Sequence, residues 1–424
     1  MRGFAHRAAI RLTRMLEPDA RSAGAPVTTT VAEITPCTPR VDSRQGARLN
    51  ILLPSINAEH YFGGIHTAVL LYRSLCRHFP QSRIVLVDAA PDVEALARFD
   101  DHVPVGCDDE SDSPRQIVAF NDRYGRTLPV RAGDCWLATA WWTAYAGQRM
   151  SAWQGRQFGE AAPMAYLIQD FEPGFYSWSS QSALALSTYC PERDVAMFNT
   201  RLLADYFQSQ GLDYRMGFVF EPTLNDGLRD ALANGRQRLQ PREKRIVVYA
   251  RPSTPRNAFE LLCEGLRAWG WSDPDAVTWE VVAPGELLQD VDLGPVKMRA
   301  LGKLGIDEYG TLLKTSAVGV SLMVSPHPSY PPLEMAAFGM GVVSNRYAGK
   351  DLSTWSPNIR SIDSLTPEAL ANALAIECAG WRERAMQPHP MIGPDHPFVG
   401  ASELELLGDR IAPILARRIG EGLR

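Results

Sequence analysis

Short apolar runs separated by longer amphipathic stretches recur along the chain from Leu49 onward. A short run bounded by polar residues is typical of a strand buried in a parallel sheet, and the stretches between the runs are typical of helices. The predicted strands of the first half are Leu49–Pro54, Ile84–Asp88, Asp134–Ala138, Ala165–Gln169, Val195–Phe198 and Gly217–Phe220, with helices such as Ile65–His78 and Thr200–Ser209 between them. This alternation predicts an α/β domain whose parallel sheet is covered on both faces.

The second half of the chain repeats the pattern. Its predicted strands are Arg245–Ala250, Thr278–Ala283, Leu301–Leu304, Val318–Val324 and Val342–Val343, with helices at Asn257–Trp269 and Ile306–Lys314. Between the halves, Leu224–Pro241 is polar and rich in Gly, Asn and Arg, which predicts a hinge. We therefore expect two Rossmann-like domains, over residues 47–225 and 240–395.

Both ends of the chain fall outside these two domains. Residues 1–46 are predicted to be a tail and linker, because Glu17–Gly46 is rich in Pro, Thr, Ser and Ala. The first 14 residues interleave apolar side chains with four arginines, which favours a solvated tail, with peripheral contact to an anionic membrane surface as the alternative. At the other end, Glu403–Ile419 has apolar residues at helical spacing, so residues 396–424 are expected to carry a helix.

The composition argues against several classes of protein. The net charge of −5 gives no support for nucleic-acid binding. No run of about 18 apolar residues is present, so no transmembrane helix is expected. The 7 cysteines are scattered without a CxxC pair or zinc-ligand spacing, which favours reduced thiols and a cytoplasmic setting. The absence of a GxGxxG motif argues against a nicotinamide or flavin enzyme, and no cofactor is expected.

One stretch of the second half, Ser325–Ser344, concentrates the candidate chemistry. An apolar strand leads into it, and Pro331 and Pro332 suit the first turn of a helix, where a missing N–H costs nothing. Glu334 falls in that turn, near the carboxyl edge of the predicted sheet, where open α/β folds bind ligands. Its carboxylate can accept hydrogen bonds from vicinal sugar hydroxyls, or it can simply cap the helix. Both interpretations are open on the local pattern.

Basic residues follow the strands of the second half near the same edge. Arg251 ends one strand, Arg256 begins the following helix, and Lys303 precedes the helix before the central strand. Cations in such places can converge on a pyrophosphate and offset its charge as it leaves. A single basic residue is more often a solvated surface group, but three at successive strand ends favour a binding role. Asp290 and Asp292 have the spacing of a metal-binding DxD, but they lie in a loop flanked by Gly and Pro, so no metal is expected.

Two strand ends of the first half combine aromatic and polar side chains. Thr139–Tyr145 and Asp170–Ser179 both have the composition of a carbohydrate-binding surface, although aromatic core packing is the commoner explanation. Asp170 and Glu172 are the candidates for catalytic contact with the acceptor or the transferred sugar.

A glycine pair, Gly63–Gly64, follows the first predicted strand. Glycine lets a backbone come close to a ligand, although most such pairs are simply turns. His66, in the helix that follows, could face the same cleft, but a single histidine is more often a surface or packed residue.

The segment Leu333–Val343 reads LEMAAFGMGVV and resembles the donor-site segment of family 4 glycosyltransferases of the GT-B fold, where the pattern is roughly E-A-M-A-x-G-x-P-V-V. The segments Ser321–Glu334 and Tyr166–Trp178 resemble more narrowly the WsaF-like rhamnosyltransferases within that family. One departure is that the wider family has a second glutamate eight residues before Glu334, where this chain has Pro326. The resemblance covers both predicted domains but not the N-terminal tail.

The resemblance implies a GT-B fold, in which two Rossmann-like domains face a central cleft and the C-terminal helix braces the first domain. It implies transfer of L-rhamnose from dTDP-β-L-rhamnose to a glycan or glycolipid acceptor, with retention of anomeric configuration and without a metal. It also implies that Glu334 binds the ribose of the donor. The rest of the donor is expected near Arg251, Arg256, Lys303, Gly63, Gly64, Ser329 and Tyr330.

Two alternative functions are open. One is a transferase that uses a UDP- or GDP-sugar, because contacts to the base cannot be identified from the sequence. The other is a non-catalytic GT-B-like module that binds glycan, which the missing glutamate at Pro326 would allow. The basic set Arg251, Arg256 and Lys303 argues against this second alternative, because a glycan-binding module has no use for a diphosphate site.

Overall fold

The computed structural model describes residues 29–61, 63–159, 161–235, 242–381 and 396–421, and it divides the chain into two units, Met1–Thr35 and Pro36–Arg424. In the first unit a short 3₁₀ helix is described at Ala32–Ile34. The arginine-rich N-terminal segment, for which a solvated tail or a membrane contact is expected, lies outside the described residues. The elements below all belong to the second unit.

A parallel sheet organises the first half of this unit. Its strands are β2 (Arg48–Leu53), β3 (Gln81–Leu86), β4 (Val103–Val105), β5 (Arg115–Ala119), β7 (Asp134–Ala138), β8 (Ala165–Ile168), β9 (Val195–Asn199) and β10 (Met216–Phe220). They lie in the order β10-β9-β8-β7-β2-β3-β5-β4, and β1 (Thr38–Val41) pairs with β6 (Thr127–Val130) in a separate parallel ribbon. The helices are α1 (Gly64–Cys76), α2 (Val93–Arg98), α3 (Trp141–Phe158), α4 (Ser180–Ser187) and α5 (Arg201–Ser209).

A second sheet organises the other half. Its strands are β11 (Glu243–Val248), β12 (Glu280–Pro284), β13 (Val291–Asp292), β14 (Lys297–Gly302), β15 (Ser316–Val320), β16 (Gly341–Asn345) and β17 (Ile359–Ile362), in the order β13-β14-β12-β11-β15-β16-β17. The neighbours pair in parallel except β13 and β14, which are antiparallel. The helices are α6 (Asp226–Gly235), α7 (Phe259–Ser272), α8 (Ile306–Thr315), α9 (Pro331–Ala337), α10 (Pro367–Ala379) and α11 (Leu404–Glu421).

In each sheet the strands that follow the first long strand are added first on one side of it and then on its other side. β2 lies between β7 and β3, and β11 lies between β12 and β15. At such a switch point the loops that leave the carboxyl ends of neighbouring strands part in opposite directions and open a crevice. The strand orders therefore predict ligand sites beside the ends of β2 and β11.

Burial on both faces explains why the strands are nearly continuous apolar runs. Along β2, Leu49, Ile51 and Leu53 enter one core together with residues of α1, while Leu52 enters a second core on the opposite face. Full burial of each such side chain contributes about 1.5–3 kcal/mol to the hydrophobic stabilisation of the fold. The sheet is therefore a rigid support for the loops at its carboxyl edge.

Helix α11 follows the second half in sequence but packs on α1 of the first. Leu407 and Ile411 are buried in the core that α1 forms with the first sheet. Gly408 approaches so closely that an added Cβ would overlap the Ser74 side chain. The Ser74 hydroxyl also donates a hydrogen bond to the Glu405 carbonyl at 3.1 Å. The end of the chain thus ties the two halves together.

The prediction of a linker up to residue 46 is wrong for its last part. Thr38–Val41 forms β1, and Asp42 is buried and accepts a hydrogen bond from Arg131 Nε at 2.9 Å. β1 is four residues long, contains Pro39 and pairs with a strand far along the chain. Such a strand depends on its partner rather than on its own apolar pattern, so the sequence gives little sign of it.

The expected hinge at Leu224–Pro241 carries helix α6. Leu224, Leu228 and Leu232 are buried at helical spacing, so this polar segment contains an amphipathic helix.

Two predicted strands have different bounds in the structure, because β15 ends at Val320 and β14 ends at Gly302. In the described part of the chain, no helix combines the length and the apolarity that crossing a bilayer requires.

Candidate active site

A cleft of about 1200 Å³ is lined by loops that leave the carboxyl ends of strands in both sheets. Each residue that the sequence predicted for the site lines this cleft, and so does His66: Gly63, Gly64, Asp170, Glu172, Arg251, Arg256, Lys303, Ser329, Tyr330 and Glu334. Residues that are far apart in sequence therefore share one concave site, because parallel strands place their carboxyl ends at one edge of a sheet.

Glu334 lies in the first turn of α9 and faces Tyr309 of α8. The Tyr309 hydroxyl donates a hydrogen bond to Glu334 Oε2 at 3.1 Å. Burial raises the pKa of Glu334 to about 7, and the hydrogen bond from Tyr309 acts in the opposite direction. The carboxylate is thus held in a fixed orientation at the cleft wall, where it can accept hydrogen bonds from hydroxyl groups. Tyr309 was not predicted, because an aromatic residue in a helix carries no sequence signal of its partner.

Two of the predicted cations, Arg251 and Arg256, already have acidic partners. Arg251 Nε lies 2.8 Å from Glu286 Oε1, and Ser253 Oγ donates to the other oxygen of Glu286 at 2.6 Å. The Arg251 side chain is nevertheless 40% exposed, so part of its guanidinium can reach a ligand. Lys303 directly follows β14 and is exposed at the cleft. A pyrophosphate in the cleft would therefore share Arg251 with Glu286.

Asp170 joins the first half of the protein to the second. Its Oδ2 lies 3.2 Å from Arg256 Nε, and its Oδ1 accepts hydrogen bonds from the Ser325 hydroxyl and from the Phe171 N–H, the latter at 2.9 Å. The Arg256 guanidinium also lies over the Phe175 ring, 4.1 Å from its centroid. Asp170 is thus buried at the point where the loop after β8 meets the loop after β15.

Glu172 is engaged with a helix terminus. Its Oε2 accepts a hydrogen bond from the Trp141 N–H, the first residue of α3, at 2.5 Å. Burial raises the pKa of Glu172 to about 8, the hydrogen bond from Trp141 opposes this shift, and the charge of Asp170 adds to it. Below about pH 8 the group is a neutral carboxyl whose oxygen accepts from the Trp141 N–H, one of the donors that the N-terminus of a helix leaves unpaired. The contact therefore gives Glu172 a structural role, whereas the sequence suggested a catalytic one.

We expect Glu172→Ala to lower the free energy of unfolding by about 1–2 kcal/mol, the usual effect of losing a helix N-terminal partner. Glu172→Gln keeps an oxygen for the Trp141 N–H, so it should change the free energy of unfolding by less than about 0.5 kcal/mol. Because the folded pKa is raised, the contribution of Glu172 is present below the unfolded pKa and falls as the pH rises through about 8. Urea unfolding at pH 6 and pH 9 measures this. A well-folded Gln variant with a hundredfold loss of activity would instead show that Glu172 takes part in the chemistry.

The glycine pair begins helix α1. Gly63 has a φ of +52°, which side-chain-bearing residues rarely adopt. A Cβ on Gly64 would lie 3.0 Å from Gln169 Nε2, which donates to the Gly64 carbonyl. The N-cap residue, Gly63, has no side chain with which to cap this N-terminus, and residues of the first turn line the cleft. The geometry suits an anionic group, because the free N–H groups and the helix dipole both favour negative charge.

The loop between β15 and α9 is held in place by polar side chains that the sequence did not single out. Lys350 is buried, and its Nζ donates to the carbonyl oxygens of Met323 at 2.6 Å and His327 at 3.3 Å. Burial lowers the pKa of Lys350 to about 7. Asn345 fixes the same loop, because its Oδ1 accepts from the Met323 N–H at 2.7 Å. These residues lie on β16 and beyond, so only the tertiary fold brings them to the loop.

The predicted aromatic surface divides into a buried and an exposed part. Trp141 is buried, and its Nε1 donates to the Tyr176 hydroxyl at 2.9 Å, so it packs in the core rather than against a sugar. Trp178 is fully exposed. Of the two explanations given for Thr139–Tyr145, Trp141 therefore agrees with core packing and not with a carbohydrate surface, because helix α3 begins there and its side chain is buried.

The acidic pair near β13 lies away from the cleft. Asp290 Oδ2 is 2.9 Å from Lys297 Nζ, and Asp292 accepts a hydrogen bond from the Gly294 N–H at 2.9 Å. Among the residues that the structure describes, no group of three or more His, Cys, Asp or Glu side chains could hold a metal ion.

Comparison with known proteins identifies related chains. Residues 48–201 match the family described as WsaF, N-terminal domain, and residues 244–375 match WsaF, C-terminal domain. The O-antigen biosynthesis protein RfbC of Myxococcus xanthus is 32% identical over 291 residues, which is 68% of this chain. The match covers 21% of that relative, so the chain spans about a fifth of the relative's length.

Solved structures resemble the whole fold at low identity. HepE of Anabaena in complex with UDP has a TM-score of 0.51 at 12% identity, over 89% of this chain and 99% of that one. The α,α-trehalose 6-phosphate synthase of Burkholderia multivorans has a TM-score of 0.53 at 11% identity, over 90% and 99%. WaaG, a glycosyltransferase involved in lipopolysaccharide biosynthesis, has a TM-score of 0.50 at 12% identity, over 87% and 99%. Together with the two matched domains, this likeness confirms the predicted fold and family: the chain belongs to the WsaF family of GT-B glycosyltransferases.

Proposed function

We propose that this protein is a glycosyltransferase that moves L-rhamnose from dTDP-β-L-rhamnose to a saccharide acceptor in bacterial surface glycan synthesis, with retention of anomeric configuration and without a metal. The observation that carries the proposal is that one cleft is lined by Glu334 and the cations of the second half and also by Asp170 of the first half. The names of two similar proteins, for O-antigen and lipopolysaccharide biosynthesis, support a surface-glycan acceptor.

The second half of the cleft is suited to the nucleotide. The Glu334 carboxylate, oriented by Tyr309, would accept a hydrogen bond from the 3′-hydroxyl of the nucleotide, because the deoxyribose of dTDP carries no 2′-hydroxyl. The exposed cations Arg251 and Lys303 would offset the charge of the diphosphate. The uncapped first turn of α1, at Gly64, would supply N–H donors to the same phosphates from the other side of the cleft. Ser329 and Tyr330, which lie between the cations and Glu334 in the loop, complete the proposed donor site.

Asp170 is proposed to contact the reacting sugar and the acceptor. In the transfer the bond between the anomeric carbon and the diphosphate oxygen breaks, and a bond from that carbon to the acceptor oxygen forms on the same face. The acceptor hydroxyl loses its proton, which the departing diphosphate can accept, and dTDP leaves. Arg256, 3.2 Å from Asp170, would balance charge during this exchange. Closure of the two halves around the ligands, to which the contact between Asp170 and Ser325 would contribute, would exclude water that otherwise hydrolyses the donor.

The activity is tested by incubating the full chain with dTDP-β-L-rhamnose and a panel of saccharide acceptors, and by quantifying released dTDP and glycosylated product by chromatography. We expect dTDP release that depends on an acceptor and a product heavier by one rhamnose. If nucleotide is released only from UDP- or GDP-sugars, the protein is still a transferase, but its donor is not dTDP-β-L-rhamnose. A protein that binds glycans but releases no nucleotide from any donor would be a glycan-binding module instead.

A smaller effect is expected from Tyr309→Phe. The change removes the hydrogen bond to Glu334, so the pKa of Glu334 should rise further and its carboxylate should lose its fixed orientation. We expect dTDP binding at pH 7 to weaken about three- to tenfold. Calorimetric titration from pH 6 to pH 8.5 measures this, with the exposed Tyr124→Phe as the control. Unchanged affinity across this pH range would show that Tyr309 does not position Glu334.

A further inference from the structure

The side chain of His327 has a buried donor with no partner in the described part of the protein. His327 is buried, lies in the loop between β15 and α9 and is one of the residues that line the cleft. Its Nε2 is inaccessible to solvent and makes no hydrogen bond with any described residue. A buried polar group left without a partner costs about 1–3 kcal/mol, so such a group in a binding cleft calls for an explanation.

The other ring nitrogen fixes the tautomer of His327. The Ser329 N–H donates a hydrogen bond to His327 Nδ1 at 3.0 Å. A backbone N–H can only donate, so Nδ1 must be the unprotonated nitrogen and Nε2 must carry the hydrogen. Burial lowers the pKa of His327 to about 4, with the charges of Lys350 and Arg256 acting in the same direction and that of Asp170 against it. The group at Nε2 is therefore a neutral N–H donor.

The loop is built to hold the ring in this orientation. Ser329 has a φ of +68°, an unfavourable value for a residue with a side chain, and this conformation accompanies the contact with His327. Pro326 and Pro328 have no N–H to offer, and the His327 N–H is already bonded to Ser325 Oγ at 3.2 Å. The backbone donors on either side of the ring are thus absent or already hydrogen-bonded within the loop, whereas the Nε2–H donor makes no hydrogen bond there.

The missing acceptor is not supplied by the nearby carboxylate. Asp170 lies close enough to influence His327 electrostatically, but its Oδ1 accepts from Ser325 and from the Phe171 N–H, and its Oδ2 faces Arg256. An ordered water could fill the gap, but a neutral donor in the wall of a ligand cleft equally suits a neutral oxygen of the ligand. The charged groups that act on the ring have both signs, Asp170 negative and Lys350 and Arg256 positive, so they do not by themselves call for an anionic ligand.

We propose that His327 is a specificity-determining residue, whose Nε2–H donates a hydrogen bond to a hydroxyl oxygen of the sugar that is transferred. The inference rests on the proposed function, because it requires a sugar nucleotide in the cleft. It distinguishes two parts of the donor: His327 recognises the sugar and not the nucleotide. The loss of the contact should therefore weaken binding of dTDP-β-L-rhamnose without weakening binding of dTDP.

The test compares two substitutions that imitate different nitrogens of the ring. His327→Asn keeps an oxygen near the position of Nδ1 for the Ser329 N–H but removes the donor at Nε2, whereas His327→Gln places an amide N–H near the position of Nε2. Calorimetric titration with dTDP and with dTDP-β-L-rhamnose gives both affinities for each variant. We expect His327→Asn to weaken binding of dTDP-β-L-rhamnose about tenfold and binding of dTDP by less than about twofold. His327→Gln should recover part of the affinity for dTDP-β-L-rhamnose.

Each other outcome is decisive. If His327→Asn weakens both ligands equally, the residue only shapes the loop, and the inference is wrong. If neither ligand is affected, Nε2 faces a water and the inference is also wrong, while the proposed function stands. If the wild type binds dTDP-β-L-rhamnose no better than dTDP alone, no sugar contact exists at His327. Wild type that binds neither ligand would overturn the proposed donor together with this inference.

Discussion

Asp170→Asn is expected to slow sugar transfer about a hundredfold or more while leaving dTDP affinity within about twofold. The substitution keeps the shape of the side chain but removes the negative charge that lies 3.2 Å from Arg256. The retained Oδ1 can still accept from the Phe171 N–H and the Ser325 hydroxyl, whereas the amide group that replaces Oδ2 can only donate and faces Arg256. The proposed nucleotide site lies around Glu334, so dTDP should bind much as before.

Steady-state transfer kinetics and calorimetry with dTDP measure the two quantities separately. Asp205→Asn is the matched control, because Asp205 is an exposed aspartate on α5 of the same half of the protein. Thermal unfolding of the variant checks that the loops around Asp170 still fold. An Asp170→Asn protein that is correctly folded and transfers sugar within about threefold of wild type would remove Asp170 from the chemistry.

Glu334→Ala is expected to weaken dTDP binding about tenfold to a hundredfold, because a hydrogen bond between a hydroxyl and a charged carboxylate contributes about 1.5–3 kcal/mol. The pKa of Glu334 is about 7, so its carboxylate ionises as the pH rises from 6 to 8. The ionised form is the better acceptor, and wild-type affinity should therefore increase over that range. In Glu334→Ala this increase should disappear.

The stability of the same variant has a predictable sign. A folded pKa raised above the unfolded value means that the contribution of Glu334 to stability is present below the unfolded pKa and is lost as the pH rises through about 7. At pH 8 the variant should thus be no less stable than wild type. Glu260→Ala, an exposed glutamate on α7, is the matched control for binding. Unchanged dTDP affinity in Glu334→Ala would assign Glu334 to helix packing alone.

The sequence predicted those parts of the fold that local pattern controls. β7 was placed at its observed bounds, Asp134–Ala138, and β2 within one residue at each end, because strands buried on both faces are apolar throughout. Strands β1, β4, β5, β6, β13 and β17 were not predicted. Most are short or lie at sheet edges, where a strand depends on its partner more than on its own residues. Helix α6 was not predicted, because the polar residues on its exposed face give its segment the composition of a hinge.

The site was predictable in position but not in its internal contacts. Strand ends and a family-like segment indicated Glu334 and the cations, and parallel-sheet geometry brings them together. No local pattern indicates that Tyr309 bonds to Glu334, or that Glu172 caps α3 across the chain. Such contacts join residues from different elements, so they follow from the packing of the whole domain and not from any one segment.

The central claim is a nucleotide-sugar site on the second half of the cleft, and calorimetric titration of the wild-type protein with dTDP, UDP and GDP at pH 8 tests it most directly. The proposal predicts that dTDP binds at least about tenfold more tightly than either UDP or GDP, which corresponds to a difference of about 1.4 kcal/mol. Equal binding of all three, or no binding of any, would contradict the donor assignment. The absence of binding would leave glycan binding without transfer as the better account of the cleft.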